Sequence, residues 1–147
     1  MRDGSAFEAW FRLLETPGIG RERVRRLLAA CGSAEAVLAA APSTLRLLVG
    51  AAPAAALSAP EPLLQERLQA AQTWLAGGPD RHVLTIDDPA YPPQLLQSPD
   101  PPLLLYVQGR VAILSAPSLA IVGSRRPTPQ GADNARAFAL AVGQHGL

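Results

Sequence analysis

Leu119-Ala120-Ile121-Val122-Gly123-Ser124-Arg125-Arg126-Pro127-Thr128-Pro129-Gln130-Gly131 is the stretch from which the rest of the chain is read. Four apolar residues run into a glycine, a hydroxyl and two arginines, and prolines then lead into residues 130–144. There Ala135, Phe138, Ala139 and Val142 share one helical face. A strand at 119–122, a turn and a helix in that order are the opening of a doubly wound α/β unit. In such units ligands bind at the carboxyl end of the strand, where Gly123 lets the backbone come close, Ser124 offers a hydroxyl and Arg125 can pair with a phosphate through two parallel N–H bonds. Arg126 adds a second cation, so the expected chemistry is an anion site. The Gly-x-Gly-x-x-Gly dinucleotide fingerprint and the Gly-Lys-Ser/Thr phosphate loop are both absent.

Upstream, two further runs have strand character, 83–86 and 103–107, each bounded by Gly, Pro or Asp. Ten of the fifteen prolines fall between Pro79 and Pro129. Three of them, in Asp88-Pro89-Ala90-Tyr91-Pro92-Pro93, forbid a regular helix or a central strand there. Before Gly77-Gly78-Pro79 the pattern is helical. Phe7, Trp10, Phe11 and Leu14 keep i, i+3, i+4, i+7 spacing, as do Val24, Leu27, Leu28 and Cys31. Ser33 and Ser43 are placed to cap short helices at 34–40 and 44–49, and a last helix is expected over 62–76 with Leu64, Leu68, Ala71 and Leu75 on one stripe. The division therefore falls at 1–78, an all-α domain, and 79–147, an α/β one.

Between the first two helices stands Pro17-Gly18-Ile19-Gly20, followed by Arg21, Arg23, Arg25 and Arg26. Two glycines permit a tight turn that presents backbone N–H groups at the start of the next helix, which can hold a phosphate. Two readings stay open: Gly18, Gly20 and Arg21 contact nucleic-acid backbone, or the turn merely closes a helical hairpin with Ile19 in the core and the arginines solvated.

Composition bounds these readings. The 147 residues carry 13 basic and 12 acidic side chains, a net charge of +1, so any nucleic-acid contact depends on local clusters of cations. Every basic residue is Arg and 50 residues are Ala or Leu, a bias expected of a GC-rich genome. The lone Cys31 excludes an internal disulfide and a multi-cysteine zinc site, and it is expected as a small buried hydrophobe. His82 and His145 are isolated, no carboxylate pair stands at catalytic spacing near the turn, and neither metal nor cofactor is expected. Tyr91 and Tyr106 are expected to be buried rather than to serve as stacking platforms. No signal peptide or membrane span is legible, so a cytoplasmic location is expected.

Taken together, Leu14 to Leu28, Tyr91-Pro92-Pro93-Gln94-Leu95-Leu96 with Pro101-Pro102-Leu103-Leu104-Leu105-Tyr106-Val107-Gln108-Gly109, and Ala120-Ile121-Val122-Gly123-Ser124-Arg125-Arg126-Pro127-Thr128 with Gly131 resemble the N-terminal part of the DNA-processing protein A (DprA/Smf) family. The resemblance implies a SAM-like, helix-hairpin-helix domain followed by the start of a Rossmann-like domain. It also implies non-enzymatic binding and protection of single-stranded DNA during natural transformation, loading of the RecA recombinase onto the strand, and a homodimer in the complete protein. Arg125 matches the arginine of the family's Gly-Ser/Thr-Arg motif, with Gly123 and Ser124 shaping its pocket. The family continues beyond the position of Gly146-Leu147, so the Rossmann-like domain is expected to be incomplete and marginally stable. Alternatives are a phosphoribohydrolase-like enzyme on a related scaffold and a protein-docking domain formed by the helices.

Overall fold

A computed structural model describes residues 4–59 and 62–146. Six helices open the chain: α1 (Gly4–Glu15), α2 (Arg21–Cys31), α3 (Ala34–Ala39), α4 (Pro42–Val49), α5 (Ala51–Ser58) and α6 (Pro62–Ala76). After them come β1 (Arg81–Thr85), the single turn α7 (Pro93–Leu96), β2 (Leu104–Gln108), a 3-10 helix (Val111–Ser115) and α8 (Pro129–Gln144). The molecule is an α/β protein, predominantly helical, with a small sheet of two strands.

The first helix organises the core because it is apolar on two sides. Trp10 and Leu13 join Val24, Leu27, Val37, Leu45, Val49 and Leu57 in one cluster, while Phe7 and Phe11 pack with Leu64, Leu68 and Val83 in another. Ser33 caps α3 as expected, its hydroxyl accepting from the Ala36 amide at 3.1 Å. Ser43 does not cap α4. Pro42 takes the first helical position and Ala41 precedes it, because a proline lacks only an N–H that has no helical acceptor at that place. The sequence reading also passed over α5, whose Ala-rich run Ala51–Ser58 has Pro53 in its first turn. Arg12 reaches its last turn and donates to the Leu57 carbonyl at 3.3 Å.

β1 and β2 pair antiparallel, with Val83 opposite Tyr106 and Thr85 opposite Leu104. At the near end of this pair the Gly77-Gly78 turn makes room for Arg81, and a Cβ on Gly77 would strike its Nη1. That guanidinium donates to the Trp74 carbonyl at 2.8 Å and lies over the Trp74 ring, 5.3 Å from its centre. Tyr91 is buried, as expected. Tyr106 is not: it is 49% exposed and meets Trp74 and Phe7 edge-on at 5.5 and 6.3 Å.

The strand pair does not stand apart from the helices. Leu103 enters the first core cluster and Val83 the second, so the first compact unit runs to Val111 and a second begins at Ala112. A division by packing thus lies well beyond the break after Gly78 that the sequence suggests.

Within the second unit the expected buried strand at 119–122 is absent. These residues have no ladder partner among the described residues, and Val122 is 89% exposed. An extended segment buries its backbone polar groups only against a neighbouring strand, and the described residues supply none. The helix expected at 130–144 forms, one residue longer at its start, but Phe138 on its apolar face is 55% exposed.

Candidate nucleic-acid interface

Gly18 adopts φ +78°, a conformation that L side chains rarely take, and this lets the chain reverse between α1 and α2. Ile19 is buried in the core, and its amide donates to the Thr16 carbonyl at 3.2 Å. Gly20 is the N-cap of α2 and, without a side chain, offers no acceptor to the first-turn amides.

The arginines that follow are all engaged within the chain. Asp100 bridges two of them: Oδ2 lies 2.9 Å from Arg21 Nη2 and Oδ1 lies 2.6 Å from Arg25 Nη2. Arg25 also donates to the Pro101 carbonyl at 3.1 Å. Arg26 pairs with Glu22 at 3.1 Å, and Arg23 donates to the Gly18 carbonyl. The core position of Ile19 fits the structural reading of this turn, and its cations are already answered. Sequence reasoning missed Asp100 as their partner, because no local pattern links residues 75 positions apart.

The 123–126 turn is built differently. The Ser124 hydroxyl accepts from the Arg126 amide at 3.1 Å and faces the Arg126 carbonyl at 3.2 Å, which folds the turn on itself. Thr128 caps α8, its hydroxyl accepting from the Gly131 amide at 3.1 Å, and Pro129 opens the helix. A shallow cavity of about 420 Å³ lies against this helix start, lined by Gly123, Ser124, Thr128 and Gly131 among others. Arg125 and Arg126 are exposed beside it and do not line it. Among the described residues neither has an ion-pair partner, whereas the nearby Asp133 is taken by Arg136 at 3.0 Å. From Ala112 onward the sequence has three arginines against one carboxylate.

The turn therefore offers two unanswered guanidinium groups, an inward-held hydroxyl and a 16-residue helix whose positive end opens on the cavity. That set attracts a multiply charged anion and holds no group placed for proton transfer. The two histidines lie elsewhere: His82 in β1, and His145 at the end of α8 with Nδ1 2.8 Å from the Ala141 carbonyl. Among the described residues no three His, Cys, Asp or Glu side chains cluster as metal ligands, and no helix is long and apolar enough to cross a membrane.

Comparison with known proteins gives this geometry its context. Residues 6–60 match the family described as DprA-like N-terminal HHH domain, and residues 82–147 match the family described as DNA recombination-mediator protein A. Over 83 residues the chain is 32% identical to Protein Smf of Escherichia coli (strain K12), a match covering 56% of this chain and 22% of that protein. The chain thus spans about a fifth of the length of the curated relative it matches. No solved structure matches it.

Proposed function

The chain belongs to the DNA-processing protein A (DprA/Smf) family, and we propose that it takes part in DNA processing by binding the phosphate backbone of single-stranded DNA at the 123–126 turn. The observation that carries this reading is the contrast between the two arginine clusters. Those after the hairpin are answered by Asp100, Glu22 and backbone carbonyls, while Arg125 and Arg126 face solvent unpaired beside the start of α8. A phosphodiester is the anion such a pair recognises without reading bases.

In this reading Arg125 makes the principal phosphate contact, Arg126 adds long-range attraction, and Gly123 and Ser124 set the shape of the turn. The role is non-enzymatic and cytoplasmic: strands entering by natural transformation are protected, and the RecA recombinase is loaded onto them by a homodimer of the complete protein. The hydrolase alternative gains no support from the turn, where Asp133 is held by Arg136.

Competition binding tests the proposal. Unlabelled oligonucleotides of differing base sequence should displace a labelled oligothymidylate equally well, since the contacts are to phosphate. A strong preference for one sequence, or efficient displacement by a nucleoside monophosphate, would favour a base-reading or nucleotide-processing site instead.

A further inference from the structure

Arg21 and Arg25 stand one helical turn apart on the same side of α2, and Asp100 spans them with one carboxylate oxygen on each guanidinium. The two non-bridging oxygens of a phosphodiester offer the same two-acceptor fork. From this geometry we infer that Arg21 and Arg25 form a second phosphodiester site, on α2, which Asp100 fills when no nucleic acid is bound. The inference rests on the reading of this chain as a DNA-backbone binder.

Three observations support displacement of Asp100. The side chains of Arg21, Arg25 and Asp100 are 52%, 37% and 48% exposed, so a polyanion in solution can reach all of them. Asp100 lies in a bend between Pro99 and Pro101, outside any helix or ladder, so turning it away breaks no secondary structure. The neighbouring acid Glu22 is already committed to Arg26, which leaves Asp100 as the carboxylate that closes the site. Each exposed ion pair shifts an equilibrium by no more than about fivefold, so the latch is weak enough for a polyanion to open and strong enough to lower its affinity.

Binding of a labelled oligothymidylate and of a labelled duplex of equal length is measured against salt for the wild-type chain, Asp100→Asn, Asp100→Asn with Arg21→Gln and Arg25→Gln, and Arg125→Ala. Removing the carboxylate should raise affinity roughly three- to tenfold and steepen the salt dependence by about 0.7 for the strand, one additional phosphate contact. The two glutamines should cancel both gains. A gain on both probes, or on one, identifies which strand form the site takes.

If Asp100→Asn leaves affinity unchanged while folded, or if its gain survives the glutamines, the α2 site is overturned. The reading of the 123–126 turn falls separately, if Arg125→Ala binds like wild type while Asp100→Asn still gains. Absence of binding by every variant overturns both.

Discussion

The Tyr91 hydroxyl donates to the Pro102 carbonyl oxygen at 2.6 Å and ties together the two ends of the proline-rich segment that carries Asp100. Tyr91 itself is held by its own amide, which donates to the Asp88 carbonyl at 2.8 Å. Three prolines between residues 99 and 102 remove the N–H groups that would otherwise secure this stretch, so the side-chain bond replaces a ladder.

Tyr91→Phe should therefore cost about 1 kcal/mol in chemical denaturation, the usual worth of one such bond. It should also change the alkaline limb of the stability profile. Burial raises the Tyr91 phenol above its ordinary value of 10.0, since the phenolate would lose its water. The unfolded chain then releases its proton first, and stability falls as pH climbs from about 10 through the folded value, while below about 10 the contribution is complete. Tyr106 is raised in the same sense by burial and then by the Glu15 carboxylate, opposed by Arg67. Tyr91→Phe should thus make the alkaline fall shallower without abolishing it.

Leu103 is 2% exposed and sits in the same cluster as Trp10 and Leu27, which joins the strand pair to the helical core. Leu103→Ala should destabilise the first unit by about 2–5 kcal/mol. The helices and the strand pair should melt together in one transition. Separate melting of the helices, at the wild-type temperature, would contradict the packing described for this unit.

Ser33→Ala removes the acceptor of the Ala36 amide at the start of a helix only six residues long. A loss of about 1 kcal/mol is expected, measured by denaturant titration, with no change in DNA affinity. Replacement by Asp should restore most of the loss, because a carboxylate caps as well as a hydroxyl.

Helices with both an amphipathic repeat and a clear stop were legible in the sequence. α1, α2 and α6 appear where the spacing of Phe7, Val24 and Leu64 places them, and Ser33 marks its helix start. α5 was illegible because Ala51–Ser58 is nearly uniform in polarity and shows no face. At α4 two start signals competed, and Pro42 prevailed over Ser43. The apolar run at 119–122 reads as a strand locally, but pairing is a property of two segments and no single run contains it. The same holds at the candidate sites. Gly18 and the cap of α8 follow from local backbone needs, whereas the bridge from Asp100 to Arg21 and Arg25 joins segments that only the fold brings together.

The central claim, that Arg125 holds DNA phosphate, is tested most directly by the salt dependence of oligothymidylate binding in wild type and Arg125→Ala. The account predicts weaker binding to all sequences alike and a slope of log affinity against log salt that is shallower by about 0.7 for the one phosphate lost. A variant that binds with wild-type affinity and wild-type slope would contradict it.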